Sequence, residues 1–224
     1  MKKKTVDGIE YTVVTDTKIE GDFIRTGENI YFENDVEITG RYECESSYAA
    51  QSITVLKSYF VSSVDRVNGY QKVGEYQEVG GSQEVGGYQE VGGYQEVGRF
   101  QKVGGYQEVG GYQKVGWSQE VGESQEVGWY QKVGGSQKVG WYQKVGGYQE
   151  VGEYQEVGEY QEVKSMRIGL SSKVKGTSKV EGRIFIGVCE WRDTTEEEET
   201  MECEKLISGK LMYGKIKEIG TNNR

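Results

Sequence analysis

The chain has 224 residues and a formal charge of -9, with no proline, no histidine and three cysteines. The absence of histidine excludes the Ser-His-Asp triad, the Cys-His pair and mixed Cys/His zinc sites, and an acidic surface disfavours nucleic-acid binding, which needs Lys and Arg to neutralise phosphates. Proline cannot donate a ladder hydrogen bond, so its absence is typical of a chain built from strand ladders.

The N-terminal segment begins with the basic run Lys2–Lys4, but Asp7 and Glu10 follow without an apolar run. No stretch of the chain approaches the roughly 20 apolar residues of a membrane-spanning helix, so we expect a cytoplasmic protein without a membrane span. Residues 1–17 are predicted to form a strand-rich N-terminal cap, because an open array end exposes unpaired ladder groups. The apolar positions of this cap are Val6, Ile9, Tyr11 and Val13.

Apolar residues recur every six positions over residues 18–188, which predicts one repetitive domain with those bounds. On either side of the central repeats they are Ile24, Ile30 and Val36, then Val55, Val61 and Val67, and finally Ile168, Val174, Val180 and Ile186. The first run is offset by one residue from the second, and a step of five separates Val163 from Ile168. We predict two single-residue slips, one within 40–50 and one just after Val163, as bulges or corner changes.

The centre of this domain, residues 70–163, is sixteen consecutive copies of the hexapeptide x-[Tyr/Ser/Phe]-Gln-[Glu/Lys]-Val-Gly, of which the last ends in Lys164 instead of Gly. A period of six does not fit the 3.6-residue helix. In a strand, Val and Gln share one face and Tyr and the charged residue share the other. We expect Val to point inward and Gly to form a tight corner. The repeat therefore predicts an all-β, single-stranded parallel β-solenoid (β-helix) with columns of Val and Gln.

The length of one coil is the main open point. Three hexads would make a three-sided coil with a period of 18, and at that spacing one side carries tyrosine without exception. These residues are Tyr76, Tyr94, Tyr112, Tyr130 and Tyr148. Another side carries charges that alternate in sign, as suits ladder neighbours. They are Glu84, Lys102, Glu120, Lys138 and Glu156. Against this, Trp117, Trp129 and Trp141 are spaced by twelve, which favours a two-sided coil, and an antiparallel meander is a third possibility. We expect three sides.

The C-terminal segment, residues 189–224, is predicted to be a second cap with a short helix over 195–208. Thr195 and Glu198 form a capping box, and acidic residues favour a helix N-terminus. The same acidic run offers a cation site as the alternative. Three scattered cysteines without a CxxC pair predict buried, reduced thiols.

The Val-Gly step followed by four residues resembles the hexapeptide repeat of left-handed β-helix acyltransferases. Catalysis in that family depends on a histidine, so the resemblance implies the architecture without the enzyme. The flanking stretches Lys18–Asp22, Val36–Arg41 and Lys179–Arg183 are similar to the Val-Glu-Gly-type turns of bactofilins, the bacterial polymer-forming β-helix proteins. That resemblance implies a nucleotide-free cytoskeletal or scaffolding polymer.

No catalytic, cofactor-binding or metal-binding residue is predicted, and no phosphate-binding glycine motif is present. The tyrosine column, together with Trp117, Trp129 and Trp141, is a candidate interaction surface, although stacked rings also stabilise a ladder. We expect a non-enzymatic structural or scaffolding protein, a rigid β-solenoid that self-assembles as a homo-oligomer or filament, or presents a repetitive surface to a protein partner. The alternative is a binding module that offers Tyr and Trp to a glycan or protein ligand, or a DNA-mimicking acidic surface to a DNA-binding protein.

Overall fold

A computed structural model describes residues 2–174, 177–181, 183–186, 200–203, 205–207 and 210–218 of the chain. Every regular element in these ranges is a strand, and none is a helix. The chain forms two compact units, Met1–Gly111 (unit 1) and Tyr112–Arg224 (unit 2). Each unit is a parallel β-solenoid with three strands per coil. The predicted all-β solenoid is therefore confirmed.

Unit 1 begins with an antiparallel hairpin and continues as parallel coils. Its strands are β1 (Lys3–Val6), β2 (Ile9–Val14), β3 (Lys18–Ile19), β4 (Phe23–Phe32), β5 (Val36–Ile38), β6 (Tyr42–Ala49), β7 (Ile53–Val55), β8 (Ser58–Val61), β9 (Val64–Val67), β10 (Gln71–Val73), β11 (Tyr76–Val79), β12 (Ser82–Val85), β13 (Gln89–Val91), β14 (Tyr94–Val97), β15 (Phe100–Val103) and β16 (Gln107–Val109). The hairpin turns at Asp7 and Gly8, both with positive φ. Its second strand, β2, pairs in parallel with β4. The segment predicted to be strand-rich is therefore a hairpin at the first coil.

Within the repeats of unit 1, each strand pairs with the strand three positions later, so that Tyr76 pairs with Tyr94 and Gln83 with Gln101. This register confirms the three-sided coil and shows that the two-sided and meander alternatives are wrong.

The first predicted slip is also confirmed. Cys44 pairs with Val61 and Ser47 pairs with Asp65, so the pairing distance along the chain grows by one between these two pairs. The slip therefore lies between Cys44 and Ser47 in β6.

Unit 2 continues the same architecture beyond the perfect repeat. Its strands are β17 (Tyr112–Val115), β18 (Ser118–Val121), β19 (Ser124–Val127), β20 (Tyr130–Val133), β21 (Gln137–Val139), β22 (Tyr142–Val151), β23 (Tyr154–Val157), β24 (Tyr160–Ile168), β25 (Ser171–Val174), β26 (Thr177–Val180), β27 (Arg183–Ile186), β28 (Thr200–Cys203), β29 (Lys205–Ile207), β30 (Lys210–Tyr213) and β31 (Lys215–Glu218). Val145 pairs with Val163 but Tyr148 pairs with Ser165, so the pairing distance along the chain shortens by one between them. The second slip is thus confirmed where the sequence predicts it.

The short helix predicted over 195–208 is wrong for the residues that the structure describes. Strands β28 and β29 occupy this range and pair in parallel with β25 and β26. An open coil edge offers a row of unpaired amide and carbonyl groups, and pairing with that edge outweighs a local helix preference. The capping-box residues Thr195 and Glu198 lie outside the described residues.

The core of the coils within the hexapeptide repeats consists of valine and glutamine, as predicted. The inward valines are buried, and so are all sixteen repeat glutamines from Gln71 to Gln161. Each amide Nε2 typically donates to Oε1 atoms of two earlier glutamines, one in the strand directly below and one on another side. Gln137, for example, donates to Gln119 at 2.9 Å and to Gln125 at 2.9 Å. These bonds satisfy amides that would otherwise be costly to bury.

The amide network has a consistent direction in both units, with donors aimed toward the N-terminus. In unit 1 its N-terminal end meets an acceptor, the carboxylate of Asp65. In unit 2 its C-terminal end meets hydroxyl donors, because Ser172 Oγ donates to Gln155 at 2.9 Å and Ser178 Oγ donates to Gln161 at 3.1 Å. The residue types at these ends therefore match the polarity of the network.

From Val73 to Val157 a glycine follows each inward valine, and it lies close to the backbone of the preceding coil. A Cβ placed on Gly104 would lie 2.1 Å from the carbonyl oxygen of Gly86 in the preceding coil. The next residue, Gly105, has more room, since its Cβ would lie 3.1 Å from the oxygen of Gly87. The clearance at this second corner position varies along the repeats, since a Cβ would lie only 2.1 Å from a carbonyl oxygen at Gly81 and at Gly147. Close approach is therefore uniform only at the first corner position, and the second position also accepts Glu, Arg and Trp.

Candidate interaction surfaces

The predicted tyrosine column is assembled within each unit. In unit 1, Tyr76 and Tyr94 stack with ring centroids 5.3 Å apart and an interplanar angle of 10°. In unit 2, Tyr130 stacks on Tyr148 at 5.9 Å and 11°, and Tyr112 lies 6.2 Å from Tyr130 at a tilt of 45°. The rings are half-buried except that of Tyr112, which is exposed. Much of their surface is therefore used in contacts along the column.

Two hydroxyls of this column, those of Tyr76 and Tyr130, are hydrogen-bond donors at neutral pH. Partial burial and the nearby Glu78 raise the pKa of Tyr76 to about 12. Partial burial and Glu150 do the same for the pKa of Tyr130. Tyr76 Oη donates to Glu78 at 3.3 Å, and Tyr130 Oη donates to Glu150 at 3.2 Å. These phenols are suited to binding and have no features of an activated nucleophile or base.

The three tryptophans do not form one surface. Trp117, Trp129 and Trp141 are 65%, 69% and 62% exposed, and a spacing of twelve in a coil with a period of 18 places them at three different corners. Each lies over a different residue of the next coil. The amides of Gly135, Tyr148 and Glu159 donate to the carbonyls of Trp117, Trp129 and Trp141, respectively. A single ligand face that combines all three indoles is therefore absent.

A groove that the sequence analysis did not single out lies on another side of unit 1. Tyr70 and Tyr88 stack at 5.1 Å and 9°, and Tyr88 lies 6.3 Å from Tyr106. Beside the rings, Lys72 Nζ pairs with Glu90 Oε1 at 2.8 Å. The groove has a volume of about 360 Å³. We call these five residues the tyrosine groove. The spacing of 18 residues between its three tyrosines is the sequence signal that could have predicted it.

Asp65 is a fully buried carboxylate in unit 1 that the sequence analysis also missed. It accepts hydrogen bonds from Tyr59 Oη at 2.5 Å, Gln71 Nε2 at 2.7 Å and Gln83 Nε2 at 3.0 Å. Burial raises its pKa, while the bonds from Tyr59, Gln83, Gln71 and Ser47 oppose that shift. Because Asp65 is fully buried and its carboxylate oxygens accept these bonds, we assign it a structural role in the amide network.

The described residues hold no group of three or more His, Cys, Asp or Glu side chains placed to bind a metal ion.

Buried Cys44 contacts Tyr42 Oη at 3.0 Å, and burial raises the pKa of the Cys44 thiol. An open cavity of about 480 Å³ at the N-terminal coils is lined by Glu33, Asp35 and Glu37. There, Asp35 accepts a hydrogen bond from the amide of Ser52 at 2.9 Å.

No family of known proteins, no curated protein and no solved structure matches this chain. Within the described residues, no helix is long and apolar enough to cross a membrane. The parallel solenoid agrees with the fold shared by the two families that the sequence resembles, but their names and activities find no support in these comparisons.

Proposed function

We propose that this protein is a non-enzymatic structural protein that self-assembles or presents a repetitive surface to a protein partner. The observation that carries the proposal is the filled interior of both units. Valine and glutamine side chains occupy the core and are buried, so the chemistry available to other molecules lies on the outer columns. There, like groups recur at the spacing of neighbouring parallel strands, roughly 4.8 Å.

The resemblance of the flanking turns to bactofilins supports the self-assembling form of this proposal and a cytoplasmic location. We propose no enzymatic activity for this protein. The chain has no histidine to act as a general base, and the tyrosine and cysteine pKa shifts are upward, which opposes nucleophile activation.

Light scattering combined with negative-stain imaging tests the proposal. We expect oligomers or filaments whose average mass rises with protein concentration. A chain that stays monomeric at every concentration, and that captures no protein partner, would argue against a structural role and favour the binding-module alternative.

A second candidate function, glycan binding, is favoured by the tyrosine groove. Stacked aromatic rings beside a charged and hydrogen-bonding column are suited to sugar rings, which present an apolar face and hydroxyls. Replacing Tyr88 with serine tests this, because serine occurs naturally at the same hexad position in Ser124. Isothermal titration with soluble oligosaccharides should show binding that Tyr88→Ser abolishes and Tyr94→Ser, on another side, leaves intact. Equal binding by both variants would refute the groove as the glycan site.

A further inference from the structure

One side of unit 2 carries a charged column whose sign alternates at every coil. Strands β18, β21, β23, β25, β28 and β31 stack in parallel on this side. Their paired outward charges are Glu120, Lys138, Glu156, Lys173, Glu202 and Lys217. We call these six residues the alternating column. The alternation extends past the perfect repeat, where the steps from Glu156 to Lys173 and on to Glu202 are not multiples of six, so duplication of one hexad does not explain it.

Unit 1 shows the same arrangement on its own coils, where Arg66 pairs with Glu84 and Glu84 pairs with Lys102. Another column of unit 2 lacks this regularity, because Lys114 lies beside Lys132. Strict alternation is therefore not a general property of the outward charges.

Ion pairing between neighbouring coils is the first explanation to test, and it accounts for only part of the column. Lys217 Nζ pairs with Glu202 Oε1 at 3.0 Å. Among the described residues, Glu120, Lys138 and Lys173 are exposed and form no ion pair. By contrast, neighbouring charges on the next side do pair, as in Lys144 with Glu126 at 3.0 Å and Lys179 with Glu162 at 2.6 Å.

The shape of this side allows a second surface to approach the charges. Ser118, Ser136 and Ser171 occupy the outward position two residues before Glu120, Lys138 and Lys173. Serine side chains are short, so they do not project beyond the neighbouring charged side chains. The matching position in β17, β20 and β24 is tyrosine, whose side chain is much larger. Larger side chains occupy the same outward position at Tyr154 and Lys215.

We propose that the alternating column of unit 2 is a contact surface for a second copy of this chain, packed antiparallel about a two-fold axis. The axis reverses the order of the coils and keeps the charged column opposite itself. Glu120 then faces Lys217 of the second copy, Lys138 faces Glu202, and Glu156 faces Lys173, so every pair has opposite charges. A parallel, in-register arrangement would place like charges together and is disfavoured.

The area of this side predicts a weak and reversible dimer. Six coils at about 4.8 Å each are about 29 Å tall, and a four-residue strand spans about 13 Å. The resulting face of roughly 400 Å² per copy is below the roughly 800 Å² per partner of a standard stable interface. This inference rests on the proposed self-assembly and names the surface that carries it.

Charge reversal tests the two-fold arrangement and separates it from ion pairing within one chain. In Lys138→Glu, a glutamate would face Glu202 of the second copy at two places in the dimer. The double variant Lys138→Glu/Glu202→Lys restores opposite charges across the two-fold axis but disrupts the alternation along each chain. Lys132→Glu, on the neighbouring tyrosine side, is the control for an equal change of net charge, although it also removes the ion pair between Lys132 and Glu150 at 3.3 Å. Sedimentation velocity over a concentration series would measure the dissociation constant, and circular dichroism would verify folding.

We expect Lys138→Glu to weaken association at least about tenfold, the double variant to recover most of that loss, and the control to stay within about twofold of the wild type. Association that Lys138→Glu leaves unchanged, or that the double variant fails to restore, would overturn this surface while leaving self-assembly through another surface in place. A wild-type chain that never associates would overturn self-assembly itself, and this inference with it.

Discussion

The two adjacent glycines of one corner, Gly104 and Gly105, offer a matched test of the fold. We predict that Gly104→Ala destabilises the protein strongly and that Gly105→Ala is nearly neutral. Neither residue has a positive φ, so the difference depends on contact with the preceding coil. At Gly104 the new Cβ would lie 2.1 Å from a carbonyl oxygen, and at Gly105 it would lie 3.1 Å from one.

The magnitude follows from the movement that each methyl group requires. Relieving the contact at Gly104 takes about 1 Å, since unstrained C···O contacts are near about 3.3 Å. That movement would stretch the hydrogen bond from the Gly104 amide to the Val85 carbonyl, now 2.8 Å. Overpacking strain of about 1–3 kcal/mol and a lost hydrogen bond of about 1 kcal/mol predict a cost of about 2–4 kcal/mol. At Gly105 a smaller strain is offset by about 0.4–1 kcal/mol from reduced freedom of the unfolded chain.

Urea denaturation, monitored by circular dichroism, measures this difference as a shift in midpoint at constant slope. Because repeat proteins can unfold in parts, amide exchange at Gly104 would report the local effect. The reasoning fails if Gly104→Ala is as stable as Gly105→Ala, because close backbone approach would then not be what excludes a side chain from the first corner position.

Three further predictions concern the buried polar groups of unit 1. Gln89→Leu should cost about 1–3 kcal/mol more in urea denaturation than Gln77→Leu. The two N–H groups of Gln89 Nε2 have acceptors within reach, on Gln71, Gln77 and Gln83, whereas Gln77 Nε2 has none; equal costs would contradict this. The raised pKa of Asp65 means that the folded state binds its proton more tightly than the unfolded chain. This residue should therefore lower stability as pH rises above about 4 and through the folded pKa, and Asp65→Asn should flatten that dependence in thermal melts at several pH values; an unchanged dependence would show that other groups cause it. The buried Cys44 thiol, whose pKa is raised, should react with maleimide only after unfolding, as peptide mapping would show; rapid labelling of the folded protein would refute its burial.

The sequence alone predicted those features that a short period controls. A repeat of six excludes helices, alternation within a strand places Val and Gln on one face, and the tyrosine positions at a spacing of 18 favour a three-sided coil. Both register slips were visible as single-residue changes in the apolar spacing. The structure confirms each of these features, because within the repeats each residue pairs with the residue 18 positions further along the chain.

The tertiary structure determined the strand pairing and the side-chain contacts outside the regular repeats. The strands of 200–207 pair with an open coil edge, which a local capping signal near Thr195 could not predict. Asp65 became the buried end of the amide network because the slip in β6 places Ser47 beside it and because the donors of Gln71 and Gln83 point toward it. The sequence did not predict the alternating column beyond Glu156. Lys173 and Glu202 are distant in the sequence, and only the fold makes them neighbours. Local pattern thus determined the unit of this solenoid, and long-range pairing determined its ends and its surface.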